Sequence, residues 1–362
     1  MSVWKVLERR SGLLGAAAGV VAAGLAAGTA AGLAVERYLV GRRRMGTTEP
    51  DEAFGTLRGE PVVVKTRDGL ELYAEVDEPR RSSSRLTVVF SHGYALNLDC
   101  WHFQRAALVD EARLVFYDQR SHGRSGRSPR ELCNVDQLGL DLGQVLDQVV
   151  PDGPVVLVGH SMGGMAILAL ADQRPELFSD RVVGVALLAS SAGDLDRVTL
   201  GVPGPMGRLV HKVTPAVVAA LARAPDLVEH SRRAGSDIAY LLTKRYSFGS
   251  KVPAARVEFV AEMLAATPIE VVADFFPGFA EHDKYAALEV LHGVETLIIG
   301  GRDDLITPVE HSRRMAELHP AAQYIELSEA GHMFLIEHPE VVNAALLDLL
   351  DRAGHAAEAM TS

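Results

Sequence analysis

The chain has 362 residues, enough for one large domain with an insertion, and its apolar (48%) and charged (23%) fractions are those of an ordinary globular protein. The formal net charge of −11 divides unevenly: residues 1–44 carry +5, which leaves −16 for the remainder. So acidic a main part disfavours nucleic acid and anionic membrane surfaces as direct partners.

The cysteine and histidine patterns argue against a metal site. Cys100 and Cys133 lie in different predicted elements and show no metal-ligand spacing. The thirteen histidines form no close pair with an acidic neighbour. We therefore expect no metal, no cofactor and two buried free thiols, with a disulfide between the cysteines as the alternative.

The first element along the chain is an uncharged stretch of 25 residues, Ser11–Val35, rich in Ala and Gly. As a helix it would reach about 37 Å, which exceeds a bilayer core of about 30 Å. Its glycines recur at a spacing that suits helix packing in a membrane. We expect a membrane anchor in residues 1–44 and a linker in residues 45–58, and the basic flanks slightly favour a cytoplasmic catalytic domain. Two alternatives stay open: a signal peptide with a cleavage site at Gly32-Leu33-Ala34, and an Ala/Gly helix that packs on the protein itself.

A second element is the apolar run Leu86–Ser91, which predicts a buried strand and leads into His92-Gly93-Tyr94. A loop at the end of such a strand can offer a backbone N–H to an oxyanion, and Tyr94 is the candidate donor. We expect His92 to hold the loop. We also expect His160, further along, to pack rather than to react.

The next apolar run, Pro154–Val158, leads directly into Gly159-His160-Ser161-Met162-Gly163-Gly164. A strand that turns sharply into a helix exposes a serine hydroxyl at its tip. Glycines two residues before and after Ser161 remove side chains that would collide in so tight a bend. Ser161 is therefore the candidate nucleophile, and the N–H of Met162 is the second candidate oxyanion donor.

A serine nucleophile needs a base that takes its proton. The predicted strand Tyr324–Leu327 is followed by Ala330-Gly331-His332-Met333. His332 stands after a strand and at the end of the required order of serine, acid and histidine. It is the candidate base.

The acid that orients this base follows another predicted strand, Thr296–Gly300. Two aspartates, Asp303 and Asp304, are adjacent in the stretch Gly301–Pro308. The spacing of the acid from the glycine and from the proline favours Asp304. Asp303 would then be a solvated or helix-capping residue.

With these segments in order, the chain resembles the serine hydrolases of the α/β-hydrolase fold, a group that includes esterases, lipases and cofactor-free haloperoxidases. The resemblance extends from about Gly59 to Leu350 and includes the stretch Asp118–Ser125. It implies a mostly parallel, eight-stranded α/β sheet flanked by helices, in a domain over residues 59–355. Ser121 stands where the family commonly has glycine, which we expect to cost little if the backbone angle allows a side chain.

The family landmarks leave a gap between Ser190 and about Leu291 that the sheet does not need, and we expect a helical cap there, at about residues 193–285. Apolar runs predict three or more short helices in it: Ala216–Leu221, Ile238–Leu242 and Val257–Leu264. Their apolar faces either line an acyl pocket or pack on the core. The aromatic candidates for substrate contact are Tyr240, Phe275, Phe276 and Phe279.

The expected reaction is hydrolysis of a carboxylic ester, of lipophilic character, through an acyl-enzyme on Ser161. Thioester and amide hydrolysis use the same residues. A haloperoxidase or perhydrolase, in which peroxide replaces water, is the second reading. A serine at this turn argues against the branches of the fold that use an aspartate nucleophile, and a non-catalytic binding protein would be expected to lose part of the site. The expected partner is a small ester or lipid-like molecule; oligomeric state is left open.

Overall fold

A computed structural model describes residues 53–79, 85–198, 200, 223 and 236–361. The strands of its sheet are β1 Glu60–Lys65, β2 Glu71–Asp77, β3 Thr87–Ser91, β4 Arg113–Tyr117, β5 Val155–His160, β6 Val182–Leu188, β7 Glu295–Gly301 and β8 Gln323–Leu327. They lie side by side in the order β1-β2-β4-β3-β5-β6-β7-β8. β2 pairs antiparallel with β1 and β4, and every other pair is parallel. The mostly parallel eight-stranded sheet implied by the resemblance is therefore confirmed.

Side chains of the central strands alternate between two hydrophobic clusters, one on each face of the sheet. Along β3, Val88 and Phe90 belong to the first cluster, whereas Val89 belongs to the second. In β5, Val156 belongs to the first and Leu157 to the second. Because both faces are covered, these strands are continuous apolar runs rather than alternating ones. That is why the sequence locates them.

Helices cover both faces. They are α1 His102–Leu108, α2 Val135–Val149, α3 Met162–Gln173, α4 Glu176–Asp180, α5 Ser236–Ser247, α6 Ala254–Ala266, α7 Ile269–Glu281, α8 Val309–Leu318, α9 Phe334–Glu337 and α10 Pro339–Thr361, with 3₁₀ turns at Leu98–Trp101, Arg130–Leu132, Leu195–Arg197 and Tyr285–Leu291. α1 and α10 contribute to the first cluster, and α2 and α3 contribute to the second. Residues Met162–Ala171 of α3 are all buried, which explains why this helix is apolar on every side.

Three helices fall in the range predicted for the cap. α5 and α6 cover the predicted helices Ile238–Leu242 and Val257–Leu264, and α7 follows them. The predicted helix Ala216–Leu221 lies outside the described residues. Residues 236–281 are called the cap below.

The predicted membrane localisation is corrected. Its basis, the segment Ser11–Val35, lies outside the described residues, as do the alternative cleavage site and residues 45–52 of the linker. Among the helices that are described, none combines the length and the apolar character needed to cross a bilayer. The prediction of a protein held in a membrane by a single helix therefore has no support in the structure and is withdrawn.

The last residues of the predicted linker are part of the domain. The ring of Phe54 stacks on that of Phe259 in α6, with 5.2 Å between ring centroids. Arg58 forms an ion pair of 2.6 Å with Asp99. Residues 53–58 thus pack against the core and the cap. Cys100 and Cys133 are both buried, free thiols, as expected.

Candidate active site

Ser161 lies at the tip of the sharp turn between β5 and α3. Its backbone angles are φ +51° and ψ −116°, a conformation that costs a residue with a side chain about 1–3 kcal/mol. Two contacts with the core hold the turn. The N–H of Ser161 donates to the carbonyl of Leu188 at 2.9 Å, and Ser190 Oγ donates to the carbonyl of Ser161 at 2.8 Å. With 5% of its surface exposed, Ser161 is fixed by its surroundings.

The glycines on either side of this turn are required by close backbone contacts. A Cβ on Gly159 would lie 2.5 Å from the nitrogen of Gly164. A Cβ on Gly163 would lie only 1.9 Å from the carbonyl oxygen of Ser91, at the end of β3. Both positions therefore exclude a side chain, for the reason that the sequence predicted.

Asp304 and His332 lie in the loops that follow β7 and β8, and they contact each other. His332 Nδ1 donates to Asp304 Oδ2 at 2.8 Å. Asp304 Oδ1 accepts from the N–H groups of Ile306 and Thr307 at 2.8 and 2.9 Å. With its proton on Nδ1, His332 presents an unprotonated Nε2, which is the form that a general base needs.

The two adjacent aspartates have different environments. Asp304 is 4% exposed and faces His332. Asp303 is exposed, and its backbone N–H donates to the carbonyl of Ala330. Thr307, which is not among the residues that the sequence predicts for the site, has its Oγ1 2.9 Å from Asp304 Oδ2. The geometry favours Asp304 as the partner of the histidine.

His160 links the turn of Ser161 to the loop of His332. Its Nε2 donates to the carbonyl of His332 at 3.0 Å, and the two imidazole rings lie 4.8 Å apart between centroids. Burial lowers the pKa of His160 to about 3, so the ring is neutral and packs in the interior. Among the described residues no hydrogen bond joins Ser161 Oγ to His332 Nε2. In hydrolases this bond is often long and shortens when substrate binds.

The two candidate oxyanion donors have no acceptor in the part of the chain that the structure describes. Neither the N–H of Tyr94 nor that of Met162 donates a hydrogen bond there. Met162 is fully buried and is the first residue of α3, where the helix dipole favours negative charge. Buried N–H groups without a partner are rare. These two are therefore available to a substrate oxygen.

His92 fixes the peptide group that carries the Tyr94 N–H. Its Nδ1 donates to the carbonyl oxygen of Gly93 at 2.7 Å, and this carbonyl belongs to the same peptide as the Tyr94 nitrogen. Its Nε2 accepts from the N–H of Gln119 at 3.0 Å. Burial lowers the pKa of His92 to about 3, so that Nε2 remains an acceptor. His92 thus holds the loop, as expected.

His122, in the stretch Asp118–Ser125, supports the other side of Tyr94. Its Nε2 accepts from the N–H of Ala95 at 3.1 Å, while its Nδ1 donates to the carbonyl of Arg120 at 2.9 Å. Burial lowers the pKa of His122 to about 4. The loop of Tyr94 is therefore held by hydrogen bonds to two neutral imidazole rings, those of His92 and His122.

The expectation that Ser121 costs little is only partly right. Its φ of +66° lies in the left-handed region, which favours the glycine common in the family. The hydroxyl offsets part of this cost, because Ser121 Oγ accepts from the N–H of Ser128 at 2.9 Å.

The structure separates the four aromatic candidates for substrate contact. Phe275 is buried in a cluster that includes Met162, and Phe279 packs its ring against that of Tyr94, 5.0 Å away between centroids. Phe276 is half-buried on the same helix, α7. Tyr240 packs against a different cluster. Phe275 and Phe279 therefore lie close to the loop that carries Tyr94, whereas Tyr240 packs against the first hydrophobic cluster of the sheet.

Comparison with known proteins identifies the family of the chain. A family model described as the alpha/beta hydrolase family matches residues 88–345, which include Ser161, Asp304 and His332. The chain belongs to the alpha/beta hydrolase family. This assignment establishes the fold and the hydrolase class.

Three similar proteins illustrate the range of the family. The chain is 27% identical over 263 residues to the dihydrolipoyllysine-residue acetyltransferase component of the acetoin cleaving system of Pseudomonas putida; the match covers 73% of this chain and only 63% of that protein. It is 27% identical to 3-oxoadipate enol-lactonase 2 of Acinetobacter baylyi, over 75% of this chain and 90% of the relative. A thermophilic esterase from Thermogutta terrifontis superposes with a TM-score of 0.61 and 26% identity, over 81% of this chain and 99% of the esterase.

One buried carboxylate of this alpha/beta hydrolase is not among the residues that the sequence predicts for the site. Glu337 Oε1 accepts from the N–H groups of Gly249 and Ser250 at 2.9 and 2.5 Å, and its Oε2 accepts from the N–H of Gly331 at 2.7 Å. It therefore joins the loop of His332 to the residues that follow α5. Its position five residues after His332 is the only sequence signal for it.

Proposed function

We propose that this alpha/beta hydrolase cleaves a carboxylic ester through an acyl-enzyme intermediate on Ser161. The observation that carries the proposal is the buried pair of His332 and Asp304, 2.8 Å apart, which His160 links to the turn that holds Ser161 at φ +51°. A strained serine at a strand–helix turn and a histidine whose Nδ1 is bonded to a carboxylate are the components of nucleophilic acyl transfer.

In the proposed reaction, His332 Nε2 accepts the proton of Ser161 Oγ as this oxygen attacks the ester carbonyl. The N–H groups of Tyr94 and Met162 bind the oxyanion, and the loss of one such donor costs about 3–4 kcal/mol of transition-state stabilisation. Asp304 keeps the proton on Nδ1 and stabilises the imidazolium. His332 then protonates the leaving alcohol and activates the water that releases the acid.

Two observations support an oxygen ester with an apolar acyl group. The esterase and the enol-lactonase are named for cleavage of oxygen esters, which supports an oxygen ester as the substrate. The helix α7 brings Phe275 and Phe279 beside the loop of Tyr94, so apolar side chains lie next to the proposed oxyanion donors. The second observation alone supports an acyl group of lipophilic character.

The decisive experiment is labelling of the folded protein with a fluorophosphonate probe. We expect the wild type to be labelled and Ser161→Ala not to be. Ser179→Ala is the matched control, because Ser179 is an exposed serine on α4 whose hydroxyl bonds only the carbonyl of Glu176, and it should be labelled like the wild type. A folded wild-type protein that is not labelled would contradict the proposal.

The class of substrate is tested by measuring kcat/KM of the same protein on a panel of chromogenic oxoesters and thioesters of graded acyl length. We expect oxoesters to have the higher kcat/KM. If hydrogen peroxide and bromide in acetate buffer produced halogenation faster than the ester hydrolysis, the protein would instead be a perhydrolase. A thioester preference would change the leaving group but not the acyl-enzyme.

A further inference from the structure

The loop that carries Tyr94 is bonded to the cap as well as to the core. The hydroxyl of Tyr94 donates to the carbonyl of Val272 in α7. Thr267, between α6 and α7, donates from Oγ1 to the carbonyl of Ala95 at 3.0 Å. The ring of Phe279, also in α7, meets the ring of Tyr94 edge to face. Three contacts therefore join the cap to the two residues at the candidate oxyanion donor.

Ala95 shows why these contacts bear on the position of the donor. Its φ is +58°, in the left-handed region, and a residue with a side chain stays there only when its surroundings hold it. His122 accepts its N–H and Thr267 donates to its carbonyl, so that the bonds lie on both sides of Ala95. Without the bond from Thr267, Ala95 can relax toward an unstrained angle, which turns the Tyr94–Ala95 peptide and shifts Tyr94, whose own N–H lies in the preceding peptide.

We propose that the cap positions the oxyanion donor, with Thr267 as a positioning residue that acts through Ala95 on the N–H of Tyr94. This inference rests on the proposed function, since it concerns the same oxyanion site. Burial raises the pKa of the Tyr94 hydroxyl, so this group remains a donor to α7 at any working pH. The cap and the oxyanion loop then move together, and an acyl group that displaces α7 alters the turnover rate.

The test is a pair of conservative variants with steady-state kinetics on a chromogenic ester. Thr267→Val removes the hydroxyl and keeps the shape, and Tyr94→Phe removes the hydroxyl and keeps the ring and the N–H. We expect each to lower kcat about 10-fold with KM little changed, because a misplaced donor weakens binding of the transition state. The affinity of a boronic acid that forms an adduct with Ser161 should fall by the same factor. Thr267→Ser should restore kcat.

The control removes a different contact of the same cap helix. Asp274 in α7 pairs with Arg127 at 2.6 Å and with Arg130 at 3.9 Å, and Asp274→Asn removes these ion pairs while keeping the three contacts between the cap and Tyr94 or Ala95. We expect Asp274→Asn to keep the wild-type kcat. If Thr267→Val and Tyr94→Phe also keep it while their Tm falls, the contacts only hold the cap in place and the inference is wrong. A wild type that hydrolyses no ester and takes no fluorophosphonate overturns the proposed function, and this inference with it.

Discussion

Ser161 and Asp304 are held by the core of the sheet, whereas the loops of Tyr94 and His332 are also bonded to the cap. The turn of Ser161 is fixed by Leu188 and Ser190, and Asp304 is fixed by its own loop. All of these partners lie at the ends of central strands. Among the described residues, no hydrogen bond joins Ser161 or Asp304 to the cap.

The loop of His332 contrasts with this arrangement. The N–H of Met333 donates to the carbonyl of Ser247, the last residue of α5, at 2.7 Å. Glu337 bonds both Gly331 and the residues that follow α5. The candidate base His332 and the candidate donor Tyr94 thus lie in loops bonded to the cap, whereas the candidate nucleophile Ser161 and the candidate acid Asp304 are held by residues outside it.

The largest expected effect is that of a substitution at Asp304, which is held by residues outside the cap. In Asp304→Asn the amide replaces the acceptor of His332 Nδ1–H and favours the wrong tautomer, and we expect kcat for an ester to fall about 10⁴-fold. Asp303→Asn, at the exposed neighbouring position, should leave kcat unchanged. Equal losses in the two variants would show that Asp304 is not the partner of the base.

The rigidity of the nucleophile turn can be measured with Gly163→Ala. The added Cβ would lie 1.9 Å from the carbonyl oxygen of Ser91, so the chain must shift, and we expect the free energy of unfolding in urea to fall by about 3 kcal/mol. Gly354→Ala in α10 is the control, because its Cβ meets only ordinary contact at 4.0 Å. That variant should be as stable as the wild type or up to about 1 kcal/mol more stable. A tolerated Gly163→Ala would contradict a rigid turn.

Glu337→Gln tests the loop of His332, which is bonded to the cap. An amide cannot accept from both sides, so either Gly331 or the pair Gly249 and Ser250 loses its acceptor. We expect a loss of about 1.5–3 kcal/mol in the free energy of unfolding. We also expect kcat to fall about 10-fold, because the loop of His332 is displaced. Glu340→Gln, at an exposed neighbouring position in α10, should change neither the free energy of unfolding nor kcat. A Glu337→Gln variant with wild-type kcat would show that the position of the His332 loop does not depend on Glu337.

The last expected effect is a dependence of stability on pH. His92 and His122 have pKa values of about 3 and about 4 in the folded protein, against 6.5 for an ordinary histidine, so the unfolded chain binds more protons below pH 6.5. Their contribution is complete above pH 6.5 and is lost as the pH falls toward 4, at roughly 1.4 kcal/mol per pH unit for each residue. Asp118, whose pKa burial raises to about 6, acts in the opposite direction.

The comparison of His122→Gln with the wild type isolates one of these contributions. Urea unfolding of both proteins at pH 7 and pH 5 should show a weaker loss of stability on acidification in the variant. Identical losses in the two proteins would mean that His122 is not the group that titrates.

Local patterns were enough to predict much of the fold. Continuous apolar runs locate β3, β5 and β7, because a parallel strand covered on both faces needs no polar alternation. The glycines around Ser161 are readable because the bend leaves no room for a Cβ at two positions. Composition alone was a poor guide to localisation. The uncharged stretch Ser11–Val35 suggested a membrane anchor, and the described helices give that prediction no support.

The sequence by itself determined four strands of the sheet (β3, β5, β7 and β8), the turn at Ser161 and the candidate partners Asp304 and His332, whose catalytic roles remain the prediction that labelling and mutagenesis test. Only the tertiary structure decided which aspartate is buried, that Glu337 joins the loop of His332 to the segment after α5, and that Thr267 bonds the loop of Tyr94. These contacts join residues that are far apart in the chain. They arise from the way the cap packs against the ends of the strands, and no local periodicity records that packing.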